Sequence, residues 1–199
     1  MFSTDRRGEI MEYRNYTIDI EPEYYPSDPR KEFDHAGKMV CFHPRYQLGE
    51  KHDFSSPQDA LDFFKREKAY FLPVYMYDHS GITISTSPFS CPWDSGQVGY
   101  IYITRKDAQK EFGPRPRRRA LACLQSEIEV YDDYLTGNVY GYVVKNAAGE
   151  EIDSCWGFYG NPEKSGCIEQ ARAVIDENIL HVLKNEGIQT ELLPAAVAA

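Results

Sequence analysis

One short run, Asp78 to Val98, gathers Asp78, His79, Cys91, Trp93 and Asp94 together with several hydroxyls. Its Gly and Pro residues place it in loops at the ends of strands, where a rigid scaffold most often presents chemistry or recognition. A cysteine nucleophile needs an imidazole or a positive dipole beside it to become a thiolate near neutral pH. His79 lies across the short Ile82–Thr86 segment from Cys91 and is the imidazole such a site would use, with Asp94 to orient the ring. His79, Cys91 and Asp94 therefore form the catalytic set that a small hydrolase or transferase would require, and Asp78 and Trp93 would line its binding surface. The competing structural reading is a cysteine packed beneath Trp93.

A second segment, Asp153-Ser-Cys-Trp-Gly-Phe-Tyr-Gly160, ends a strand in aromatics and glycines. Trp156 and Tyr159 there can wall a pocket or stack on a flat ligand, and the structural alternative is an aromatic sheet face bent at Gly157 and Gly160. Three histidines, His43, His52 and His79, would converge if the strands over Lys38–Phe42 and Phe71–Tyr77 were neighbours, and could then hold a metal with Asp. No ligand spacing calls for one, so neither a metal nor another cofactor is expected. Arg115, Arg117, Arg118 and Arg119 form the strongest basic cluster, at the start of a helix where positive charge is unfavourable. A salt-bridge network with the later acids Glu127, Glu129, Asp132 and Asp133, or a solvated face, is preferred to a nucleic-acid site. Gly96 and Gly99 lack the Gly-Lys-Ser/Thr ending of a phosphate loop. Cys41, Cys123 and Cys155 read as core.

These residues need elements to position them. Ser56-Pro57-Gln58-Asp59 opens a helix with a cap, a proline at the first helical position and an acid in the first turn. Thr104 to Asp107 opens a short helix that stops at Gly113-Pro114. Leu121, Leu124, Ile128, Tyr131 and Leu135 recur at helical spacing over Arg117–Leu135. Ile168, Ala171, Ile175, Ile179, Val182 and Leu183 do so over Lys164–Asn185. Strands are predicted at Tyr16–Ile20, Lys38–Phe42, Phe71–Tyr77, Ile82–Thr86 and Val98–Thr104. A hairpin, Val139–Val144 with Glu151–Tyr159, turns over Asn146–Gly149. The fold class this implies is α+β: a single domain with a mixed, mainly antiparallel sheet and the two longer helices packed on one face. Residues 1–37 read as a polar N-terminal segment, 38–188 as the domain and 189–199 as a flexible tail.

The totals narrow the function classes. A chain of 199 residues can bury a sizeable core. Fifteen Tyr and ten Phe argue against disorder, and so many tyrosines can fill a core edge while keeping their hydroxyls wet. A net charge of -9 disfavours non-specific binding to nucleic acid or an anionic membrane and allows attraction to basic protein surfaces. The five cysteines are odd in number with no Cys-x-x-Cys pair, against a disulfide framework or a zinc ribbon. Residues 1–14 lack the apolar stretch of a signal peptide, and no run is long enough to span a bilayer. The expectation is a cytoplasmic protein with free thiols and no membrane segment.

The blocks Met39-Val-Cys-Phe-His43, Tyr77-Asp-His-Ser-Gly-Ile82, Ser87 through Gly99, Val130-Tyr-Asp-Asp-Tyr-Leu-Thr-Gly137 and Asp153 through Gly160 resemble a family of uncharacterised small proteins of bacteriophages and mobile elements. The resemblance covers about Asp28 to Gly160 and carries no assigned catalytic residues. It implies an accessory role in phage or plasmid biology, where anti-defence proteins are common, exercised in the host-cell cytoplasm. The first functional expectation is accordingly a non-enzymatic protein that binds a protein of the bacterial host. The alternative is the hydrolase or transferase built on residues 78–97. Oligomeric state is not legible.

Overall fold

The computed structural model describes residues 8–185. The tail expected over 189–199 and the first seven residues of the polar segment lie outside the described residues. The chain is α+β, and among the described residues every strand pair is antiparallel. The strands do not form one sheet. They divide into two four-stranded sheets, and each of the two longer helices has a sheet of its own. Two compact units result, one spanning Ser27–Thr136 and the other drawn from residues 8–26 and 137–185.

The first unit contains α1 (Pro29–Glu32), β3 (Lys38–Cys41), α2 (Pro57–Glu67), β4 (Tyr70–Asp78), β5 (Ile82–Ser85), β6 (Ser95–Ile103), α3 (Arg105–Phe112) and α4 (Arg117–Thr136). Its sheet runs β3-β6-β4-β5. Alternation sends Met39, Val74, Met76, Ile84, Ile101 and Ile103 to one face, where Ala120, Leu124, Ile128 and Tyr131 of α4 cover them. Val40, Tyr100 and Tyr102 point the other way, under Ala60 and Phe64 of α2. The helix starts follow their sequence signals. The Ser56 hydroxyl accepts from the Asp59 N–H at 3.2 Å, and the Thr104 hydroxyl accepts from the Asp107 N–H at 3.1 Å. Asp132 on α4 accepts from the Thr83 hydroxyl and the Ile84 N–H, both at 2.7 Å, which ties β5 to the helix.

The second unit contains β1 (Glu9–Tyr13), β2 (Tyr16–Pro22), β7 (Val139–Lys145), β8 (Glu151–Tyr159) and α5 (Cys167–Asn185). The sheet order is β1-β2-β7-β8. Ile18, Ile20, Tyr142 and Val144 pack against Cys167, Ile168, Ala171 and Ile175 of α5. So the stretch read as a polar N-terminal segment supplies two strands, and the apolar alternation at Ile18 and Ile20 buries the inner one, β2. The stripe predicted on α5 ends early: Val182 is 43% exposed.

Candidate functional site

In the first unit the Asp78–Val98 run leaves β4, returns along β5 and re-enters the sheet at β6. β4 and β6 are paired, with Tyr77 opposite Ser95. That register places the two ends of the run side by side, and the Asp78 N–H donates to the Asp94 carbonyl at 2.9 Å. His79 Nδ1 lies 3.4 Å from Asp94 Oδ2, and the Cys91 thiol donates to the same oxygen at 3.9 Å. The structure therefore brings His79, Cys91 and Asp94 together. The carboxylate stands between the other two, however, whereas a thiolate nucleophile needs the imidazole in that position. His79 is also stacked 5.8 Å from the Tyr77 ring and is largely exposed.

Asp78 accepts from the Tyr46 hydroxyl at 2.9 Å and pairs with Arg45 at 3.4 Å. Asp78, Trp93, Asp94, His43 and Gln97 border an open groove of about 370 Å³. Trp93 is 90% exposed, so it does not cover Cys91 as the structural reading supposed.

The three histidines do not converge. β6 lies between β3 and β4, so the two strands expected to be neighbours are not. His52 Nε2 is 2.9 Å from the Cys41 carbonyl, and its ring sits between Phe42 and Phe54. His43 Nδ1 accepts from the Arg45 and Tyr46 N–H groups. Among the described residues no group of three His, Cys, Asp or Glu side chains can hold a metal ion. The arginines of the α4 start are exposed, and among the described residues none of the four is ion-paired. They form a solvated face, one of the two expected outcomes; a salt-bridge network is not formed among the described residues, where Asp132 bonds to β5 and Glu127 to Arg30.

That last pair belongs to a cluster with no sequence motif. Arg30, whose side chain is 3% exposed, donates to Glu127 at 2.8 Å, to Glu50 and to the Gly37 carbonyl. Glu127 also accepts the Ala36 and Gly37 N–H groups, and His35 Nε2 lies 3.3 Å from Glu50. The cluster borders a cavity of about 460 Å³ that Cys123 also lines. Burial, followed by the nearby Glu127, pushes the Cys123 thiol up to about 11, which keeps it protonated and unreactive at neutral pH. This is a structural pin, since every charge in it has a partner within the fold. The only signal in sequence was an arginine in a proline-rich stretch.

In the second unit Trp156 owes its position to a β-bulge. Tyr140 faces Phe158 and Tyr142 faces Cys155, so Gly141 alone opposes Trp156 and Gly157. Gly157 has φ +90°, as the extra residue of a bulge often does. Cys155 and Phe158 pack toward α5, while Trp156 is turned onto the face of the sheet away from it. There its ring lies over Gly141: a Cβ at that glycine would meet the indole Cε3 at 2.2 Å and Cδ2 at 2.4 Å. On the next strand Glu21 pairs with Gly141. Just beyond, Glu23 accepts the Gly157 N–H at 2.9 Å.

Glu21, Pro22, Glu23, Tyr24, Tyr25 and Trp156 enclose an open notch of about 480 Å³. Tyr24 is 80% exposed, Tyr25 95% and Trp156 43%. Tyr159, expected to join Trp156, is instead half-buried opposite Val139 and is not one of the walls. Tyr24, Tyr25 and the two glutamates were missed in sequence because they sit in a stretch read as polar and irregular. Their signal is two adjacent tyrosines flanked by Glu21, Glu23 and two prolines.

Compared with the known protein families, the curated proteins and the solved structures, the chain matches none. Among the described residues no helix is long and apolar enough to cross a membrane.

Proposed function

We propose that this is a binding protein, not an enzyme, and that the notch of the second unit is the surface on which it holds a protein partner. The carrying observation is the exposure of Tyr24, Tyr25 and Trp156 around one concave space. Exposed aromatics clustered around one concavity, unlike single scattered ones, mark interaction sites, and aromatic anchors in a pocket are the usual source of affinity at interfaces. The resemblance of the Asp153–Gly160 block and its companions to phage and mobile-element proteins points to a host protein as that partner, with anti-defence as the corresponding role. Affinity capture from a bacterial lysate tests it. A partner retained by the wild type and by His79→Ala, and lost by Trp156→Ser and by the Tyr24→Ser/Tyr25→Ser double variant, is the expected outcome. Capture unaffected by the notch variants sinks the assignment.

A second reading, hydrolase or transferase chemistry, rests on the meeting of His79, Cys91 and Asp94 in the first unit. The carboxylate between thiol and imidazole counts against a cysteine nucleophile and leaves a His79–Asp94 acid–base pair as the only active element. Activity on generic ester, amide and phosphoester substrates that disappears in Asp94→Asn would favour it.

A further inference from the structure

We infer that the notch recognises a guanidinium group, so that the partner presents an arginine-bearing basic segment; this rests on the binding reading above. Three features of the notch converge on that chemistry.

The first is the indole platform. Trp156 is backed by Gly141, stays 43% exposed and borders the notch, so its orientation is set before any ligand arrives. An aromatic face carries negative potential, and tryptophan is the best of the three rings at attracting a cation. Tyr24 and Tyr25 add two more rings. Among the described residues no arginine or other ring stacks on any of the three.

The second is charge. Glu21 and Glu23 stand in the same space, and no lysine or arginine is among the walls. Among the described residues neither glutamate is ion-paired. One oxygen of Glu23 takes the Gly157 N–H and leaves the other for a ligand. An uncharged or apolar occupant would strip water from two carboxylates without replacing it, which is unfavourable. A phosphate or a nucleic-acid backbone would be repelled by them.

The third is shape. A planar guanidinium can lie flat on the indole while its edge N–H groups reach a carboxylate, whereas an ammonium is compact and more strongly hydrated. An open notch bordered by rings and carboxylates fits the flat cation better than the compact one.

The chain has two tryptophans, so the indole N–H resonances give a direct readout with Trp93, which lies outside the notch, as internal control. The probes are a short capped tri-arginine peptide, its tri-lysine counterpart and an uncharged glycine-serine-proline peptide. The expected result is a saturable shift of the Trp156 signal with tri-arginine, weaker binding of tri-lysine and no shift with the uncharged peptide. Glu21→Gln/Glu23→Gln keeps the acceptor for Gly157 N–H and should weaken tri-arginine binding about tenfold. Equal binding by wild type and the double Gln variant, or a shift with the uncharged peptide as large as with tri-arginine, overturns the inference. If at the same time lysate capture still depends on Trp156, the binding reading survives its failure. If capture is also independent of Trp156, both fall.

Discussion

Arg30 and Glu127 form a buried pair, Nη1 to Oε2 at 2.8 Å, that links α1 to the middle of α4. The same carboxylate takes the N–H groups of Ala36 and Gly37, so one side chain holds both the arginine and the loop behind it. Arg30→Ala would leave Glu127 and Glu50 facing a partner that no longer exists. Breaking a buried pair from one side usually costs about 3–5 kcal/mol. We expect a loss of that order in urea unfolding followed by circular dichroism, with Arg30→Lys intermediate because it keeps the charge but not the fork. A loss below about 1 kcal/mol would show that the network is not a structural pin.

Stability should fall at alkaline pH. Burial pushes the thiols of Cys123 and Cys167 from 9.0 up to about 11 in the fold. Burial also raises Tyr102, Tyr131 and Tyr142 above 10.0. Between the unfolded and native values the unfolded chain gives up protons that the folded chain keeps. Raising the pH through that window therefore favours unfolding, and the stabilisation is fully present only below about 9. Urea midpoints at about pH 8, 9.5 and 10.5 check the sign, and Cys123→Ala/Cys167→Ala should flatten part of the decline. A midpoint that rises over this range contradicts it.

Gly141→Ala should damage the second unit locally. The new methyl would meet the Trp156 ring at 2.2 Å and the Cys155 carbonyl at 2.8 Å, so the indole must leave its seat. Overpacking of this kind costs about 1–3 kcal/mol. The near-ultraviolet circular dichroism of Trp156 should change, and partner capture should be lost. An unchanged indole signal would mean that the ring is not held by the glycine.

The loop cluster of the first unit should tolerate substitution. The side chain of His79 is 66% exposed and that of Asp94 45%. His79→Ala, Asp94→Asn and Cys91→Ala should each shift stability by less than about 0.5 kcal/mol. A larger loss would mark these residues as structural, and any activity lost without it would then be chemical.

What could be read in advance was local. The Ser56 and Thr104 caps, the stripe through Leu124, Ile128 and Tyr131, and the β7–β8 hairpin are each specified by residues close in sequence, and each formed. The register bringing Asp78 beside Asp94 was also foreseeable, because the strand between them is short. Non-local pairings were not. Ile20 pairs with Tyr142, more than a hundred residues later in the sequence, and nothing near Ile20 announces that partner. The split into two sheets, the placing of β6 between β3 and β4, and the notch all depend on such pairings. Trp156 was visible as a wall residue, but its companions lie at the end of β2 and just beyond it, and β2 pairs with β7 only after the chain returns.

The second unit is an interrupted one: β2 precedes the first unit in the chain and β7 follows it, yet the two are adjacent strands. On the ribosome the β1–β2 hairpin emerges before the first unit and must wait, with the β2 edge unpaired, while all of 27–136 is made. At roughly 5–20 residues per second that wait lasts about 5–20 seconds. An unpaired apolar edge is a template for association with other chains. Asp19 and Glu21 place charge on the strand that waits, which would help keep its open edge soluble until β7 arrives.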